Sequence, residues 1–392
     1  MFVLRNCSLV PELTEGTDLK KADVMLENSR IKRILPCGSF AEGEYETLDL
    51  NGKTLLPGLI DAHVHLHMGK EYVGLMIKTA CGRAFDCLKY AQYLLDIGIT
   101  TVRDMGDDVN FPTVALRNAI REGVVKGPRL KTSGVTIIPY DNGFQADPDI
   151  CAYTCGPVEM RKQVRYMFMN DVDLIKIYGT GSMMTQGSEP GIRILEEDEI
   201  SEAVKIAARK GTYVACHCHG AEAIGVMARL GVRTIEHASF ITDETCRYLD
   251  GRTDVGIVPT VGITADEVIS RKNSEERERY EILREKIYAS LKNAYRYNIL
   301  MGWGTDFPLS VYEKYPYIEF KTRKEKLGYS NLDLLKQATI NSARLLMMDQ
   351  EIGTLKEGKL ADLIVVDGDP IEDITVMYTR PDHVIKDGEL IR

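Results

Sequence analysis

Between residues 57 and 345 short apolar, strand-like runs alternate with helical stretches, and this alternation constrains the fold more tightly than any other feature of the chain. The runs are TLLPGLIDAHVHL, ITTVRD, RLKTSGVTI, LIKIYG, TYVACHCH, RTIEHAS, GIVPTV and NILMGWGTD. Helical candidates lie between them at 83–97, 157–169, 196–210, 220–230 and 331–346, of which EEDEISEAVKIAARKG is the clearest amphipathic stretch. Strands joined through helices run parallel, and eight such units close on themselves. The middle of the chain is therefore expected to be an α/β fold, a (β/α)8 TIM barrel over 57–345. Residues 1–56 and 346–392 have another texture, with short alternating runs broken by Asn, Asp-Gly and Pro turns, and both ends read as antiparallel strands.

Composition narrows the partners. Of 392 residues, 44% are hydrophobic and 27% charged, which suits an ordinary buried core, and the net charge of -9 repels nucleic acid and anionic membrane surfaces. Arg5 and Pro11 interrupt the segment where a signal peptide would need its apolar core, and no apolar run reaches the roughly 20 residues that span a bilayer. Nine scattered cysteines do not form a disulfide framework. A cytoplasmic protein with no nucleic-acid or membrane partner is expected.

Six of the seven histidines fall in three clusters: His63, His65 and His67; His217 and His219; and His237. In a strand alternate residues share a face, so His63 and His65 project together as a two-pronged metal grip at a strand end. The same alternation places Tyr213, Ala215, His217 and His219 on one face and Cys216 and Cys218 on the other, which makes the two cysteines core thiols. His237 and Asp306 each end a strand-like run, where barrel active sites form, and are metal-site candidates. Lys176 shares a face with Leu174 and Tyr178 inside the barrel. Its spacing allows a neutral amine that adds carbon dioxide to become a bridging carbamate, and equally an inward lysine paired with a carboxylate or sitting at a wet rim.

The motifs LPGLIDAHVHLH, TTVRDMG, LIKIYGTG, ACHCHGAEAI, GVRTIEHAS, GTDF and IGTLKEGKLADLIVVDGDP together resemble, in order and over nearly the whole chain, those of the amidohydrolase superfamily. Within it the chain is most similar to the imidazolonepropionase-like group of Xaa-Pro and Xaa-Arg dipeptidases. The resemblance implies that the two β-rich ends join into one composite β-sandwich domain. It also implies two divalent metal ions, with zinc favoured by the histidine-rich ligands. His63, His65 and Asp306 would hold the more buried ion and His217 and His237 the more exposed one, bridged by carboxylated Lys176. His219 would then contact substrate, although strand parity admits either histidine as ligand.

A pair of divalent cations sharing a water lowers its pKa towards neutrality, and Asp306 would take the proton as general base and return it to the departing nitrogen as general acid. The implied activity is hydrolysis of a carbon–nitrogen bond in a small molecule such as a dipeptide or N-acyl amino acid. The alternatives are cyclic-amide or lactone opening, deamination, or a non-enzymatic scaffold role, the last disfavoured because all six ligands are kept. The chain departs from the group after the third strand, where residues 138–157 form a long loop without the histidine that relatives carry. Tyr140, Asn142 or Gln145 could replace its contact, and Tyr178 and Arg193 are further substrate-binding candidates. The charged stretch 270–298 reads as an outer helix of the barrel or as a lid. A homo-oligomer is compatible with the resemblance, but no residue fixes a subunit count.

Overall fold

The computed structural model describes residues 1–41, 43–68, 79–140, 150–183 and 190–392. The barrel strands run through Leu59–Val64, Ile99–Asp104, Arg129–Thr132 continuing as Thr136–Pro139, Ile175–Tyr178, Val214–Cys218, Thr234–His237 and Gly256–Val258, all paired in parallel. Residues 300–303 form the eighth stave. Ile257 bridges Met301, Gly302 N donates to Ile257 O at 2.9 Å, and Ala62 N donates to Trp303 O at 2.8 Å, so the last stave joins the seventh to the first. On the far side Asp173 N donates to Thr132 O at 2.8 Å and Ile177 pairs with Ile137. The eight runs picked from the sequence are the eight staves of a closed (β/α)8 barrel.

Strand parity decides what each side chain meets. Leu174, Tyr213 and Ala215 pack with Met105 as a small cluster in the barrel, whereas Ile175, Ile177, Cys216 and Cys218 belong to the large apolar core shared with the helices. Cys216 and Cys218 are fully buried free thiols, and burial raises the pKa of each. The outer helices form where the apolar spacing and caps agree. Thr79 caps Ala80–Asp96 by accepting from Gly82 N, a capping box of Glu196 and Glu199 opens Glu197–Arg209, and Asn273 caps Ser274–Ala294.

The ends of the chain meet in one eight-stranded sheet. Thr54–Pro57 lies at its centre, parallel to Phe2–Leu9 and antiparallel to Leu363–Val366, and so ties the N-terminal strands to the C-terminal ones. Leu4, Val24, Ile31, Leu55, Leu363, Val365 and Ile385 form its own core, separate from that of the barrel, and this is the small β-sandwich. Among the described residues no helix is long and apolar enough to cross a membrane.

Candidate active site

The carboxyl ends of the staves converge on a cavity of about 350 Å³ whose walls include His63, His65, Lys176, His217, His237 and Asp306. Each arrives from a different stave or pair of residues at one stave's end. Two of them sit where the backbone is least comfortable: His237 has φ 67° and Asp306 has φ 57°, left-handed values that side chains other than glycine rarely adopt. Asp306 is pinned there because its N–H donates to His63 O at 2.9 Å. His65 is backed by Gly106, where an added Cβ would come within 3.0 Å of His65 Nδ1 and 2.9 Å of Thr136 Oγ1, so only glycine lets the ring sit this close.

Hydrogen bonds select which nitrogens face inward. His63 Nδ1 lies 2.7 Å from Glu236 Oε2; a carboxylate only accepts, so Nδ1 carries the proton and Nε2 is left bare. His217 Nε2 donates to the carbonyl of Gly181 at 3.3 Å, which leaves Nδ1 bare, 3.0 Å from His237 Nε2. His237 Nδ1 is 2.7 Å from the hydroxyl of Thr260, which can accept from it. Asp306 Oδ1 lies 3.4 Å from His65 Nε2 and 3.7 Å from His63 Nε2. Ligand atoms of His63, His237 and Asp306 fall within 4.8 Å of one another, as do those of His217, His219 and His237. Bare imidazole nitrogens and a carboxylate converging in this way repel one another unless cations lie between them, and the donor set fits two divalent ions.

Electrostatics agree. Burial, reinforced by Lys176, pushes His63, His65, His217 and His237 well below the ordinary histidine range, so all four are held neutral, the form that a metal ligand requires. Burial also lowers the pKa of Lys176, which is 1% exposed, and favours its neutral amine. Its Nζ stands 5.7 Å from the ring centroid of Tyr178. Asp306 is pushed up to about 7, chiefly by burial and against the pull of Lys176 and Lys272.

The other predicted residues divide. His219 and Tyr178 line the cavity: His219 Nδ1 pairs with Ser239 Oγ at 2.8 Å, and Tyr178 stacks on His217 with centroids 4.2 Å apart. Tyr140 is 71% exposed and stacks on Tyr153, and Arg193 is engaged with Leu195 O and Glu222; neither is among the described residues lining the cavity. Asn142 and Gln145 lie outside the described residues. The stretch 270–298 contains the helix Ser274–Ala294, which sends Glu276, Tyr280 and Ile287 into the cavity wall, where they meet Val261 and Ile263. Sequence reasoning passed over Arg103 and Glu236. Parity could have found both, since Glu236 shares a strand face with Thr234, and Arg103 with Thr101, and neither ion belongs in an apolar barrel without a task.

Comparison with known proteins agrees with this geometry. The sequence matches the amidohydrolase family over residues 54–391. It is 24% identical to ochratoxinase of Aspergillus niger, covering 86% of this chain and 75% of that one, and 23% identical to imidazolonepropionase of Treponema denticola, covering 96% and 94%. Among solved structures it is similar to a prolidase complexed with N-methylphosphonate-L-proline (27% identity, TM-score 0.87, covering 100% and 99%). It is also similar to a Xaa-Pro dipeptidase with bound methionine in its active site (26% identity, TM-score 0.85, covering 100% and 99%). The chain belongs to the amidohydrolase family, in its imidazolonepropionase-like group, and is a hydrolase of carbon–nitrogen bonds.

Proposed function

We propose that the protein cleaves an amide bond in a small molecule, a dipeptide or N-acyl amino acid, at a centre of two divalent cations, with zinc the favoured metal. The observation that carries this reading is the convergence of bare histidine nitrogens on Asp306 within a single cavity. His63, His65 and Asp306 would hold the inner ion and His217 and His237 the outer one. Lys176, carboxylated on its neutral amine, would join them. Divalent cations held by these residues would supply Lewis acidity, to acidify water and to polarise the substrate carbonyl.

The chain's own groups do the rest. Asp306 stands at the inner edge of the cavity, where its carboxylate accepts a proton from the attacking water and then delivers it to the departing nitrogen. Tyr178 and His219 flank the space for the carbonyl. Val261, Ile263, Tyr280 and Ile287 offer an apolar wall for a side chain and exclude water from it. The printed names of the dipeptidase and prolidase neighbours support the substrate class. Nine free cysteines, six of them buried, support a reducing, cytoplasmic setting.

The test is a screen of dipeptides and N-acyl amino acids with metal-reconstituted protein, followed by product analysis. Two fragments from one substrate support the proposal. Ammonia alone, or a single hydrated product, would replace it with deamination or ring opening on the same centre.

A further inference from the structure

Deep in the barrel, beneath the histidines, lies an ion pair that the reaction itself does not use. Arg103, Glu236 and His63 are each no more than 1% exposed. Every polar edge of the pair is occupied. Arg103 Nη2 reaches Glu236 Oε1 at 2.9 Å and Oε2 at 3.1 Å, Nη1 donates to Thr234 Oγ1 at 2.8 Å, and Nε donates to Ala62 O at 2.6 Å, one residue from His63. Thr234 Oγ1 donates to Glu236 Oε1 at 2.5 Å, and the remaining direction of Oε2 accepts from His63 Nδ1 at 2.7 Å.

A buried ion pair is poor value as a stabiliser, because desolvation cancels most of its attraction and a well-packed apolar pair of the same volume does as well or better. Its geometry here serves something else. With Glu236 absent, His63 is free to carry its proton on Nε2, the nitrogen that faces Asp306, and the ring is free to turn about χ2. With Glu236 present but unanchored, the carboxylate is free to swing towards Lys176, whose charge it already feels. Arg103 blocks that swing by holding both oxygens, and it also grips the strand backbone beside His63.

We infer that Glu236 and Arg103 are positioning residues for the inner cation: Glu236 fixes the tautomer and orientation of His63, and Arg103 fixes Glu236. Among the described residues no such ion pair supports the outer histidines, whose partners are the hydroxyl of Thr260 and the carbonyl of Gly181. The inference rests on the two-cation reading of the site and predicts an asymmetric defect, loss at one position and not at both.

The experiment is Co2+ titration of the chelator-stripped protein, followed by its visible absorption and by elemental analysis, with melting of the metal-free protein measured in parallel. The wild type is expected to take up two equivalents. Glu236→Asp keeps the charge opposite Arg103 but draws the carboxylate back from His63 by one methylene; it should bind one equivalent normally and the other about 10–100-fold more weakly. The double variant Arg103→Met/Glu236→Leu removes both buried charges together with the acceptor behind His63 Nδ1 and should show the same selective loss. If these variants fold and fill both positions with unchanged affinity, or if they only lower the melting temperature of the metal-free protein, the positioning role is overturned and the two-cation reading stands. If the wild type takes up no Co2+ or Zn2+, both fall.

Discussion

The two halves of the candidate centre are built from different materials. On the inner side His63 leans on a carboxylate, which leans on a guanidinium, all without solvent. On the outer side His217 and His237 lean on a carbonyl and a hydroxyl, neutral partners at 3.3 and 2.7 Å. Charge-assisted hydrogen bonds are about twice as strong as neutral ones and hold their geometry more tightly. The difference teaches that histidines of one site can be backed by an ion pair at His63 and by neutral groups at His217 and His237, and it predicts a stiffer hold on His63. The neutrally backed side adjoins His219 and Ser239, on the cavity wall where substrate would enter.

The contrast breaks most visibly at Asp306, which stands on the inner side yet is assigned the proton transfer. Asp306→Asn keeps the shape and an oxygen ligand but removes the base. The expected result is a loss of about 10²–10⁴-fold in kcat/KM, with the outer cation still bound. Activity and metal content measured on one preparation check this, and full activity in the variant would remove Asp306 from the mechanism.

Acidity sharpens the comparison next. In the metal-free protein the Asp306 carboxyl has its pKa raised to about 7, mainly by burial, whereas burial holds His63, His65, His217 and His237, the proposed ligands, neutral well below the usual histidine range. On the two-cation reading, binding at the inner position would therefore expel a proton at acidic pH, and binding at the outer position would not. Affinity at the inner position should fall as pH drops below about 7, approaching about tenfold per unit, and should be level above it. The outer position should change little between pH 8 and 6. Metal uptake followed across that range in buffers of different ionisation enthalpy separates the two, since only the inner equivalent would release the Asp306 proton.

Much of this was legible before any coordinates. Alternation of strand and helix gave all eight staves because each stave is a short buried run with breakers on both sides, and strand parity put His63, His217 and Lys176 inside and Cys216 and Cys218 outside. Parity is a local property, readable from neighbours in sequence. What failed to show was tertiary. Parity turns Arg103 and Glu236 into the barrel, but only the fold brings these two non-adjacent staves together, and His and Asp merely tolerate the left-handed backbone that the structure gives His237 and Asp306. Tyr140 and Arg193 show the limit of such reading. Each has the right chemistry and stands near the right motif, but loops carry no parity, so nothing in the sequence said which way they would point; one stacks on Tyr153 and the other meets Leu195 and Glu222.

Thr260→Val tests whether neutral support is the weaker kind. It removes the hydroxyl behind His237 with almost no change of volume, and it should weaken only the outer cation, by less than about tenfold, against the larger inner loss expected for Glu236→Asp. Equal losses in the two variants, measured by the same Co2+ titration, would erase the distinction between the halves.

The smallest effect is the most discriminating for the pair His217 and His219, between which strand parity cannot choose. Both line the cavity and both have a ligand atom in the group with His237. Their other nitrogens differ: that of His217 donates to a backbone carbonyl, which fixes its tautomer, whereas His219 Nδ1 meets the hydroxyl of Ser239 at 2.8 Å, which can donate or accept. A fixed tautomer suits a ligand, and a switchable one suits a group that hydrogen-bonds substrate through the reaction. Ser239→Ala should therefore leave both metal affinities within about twofold and raise KM by a few-fold with kcat nearly unchanged, the signature of a lost binding contact. The reverse pattern, a weakened outer cation with KM intact, would make His219 the ligand and His217 the substrate contact.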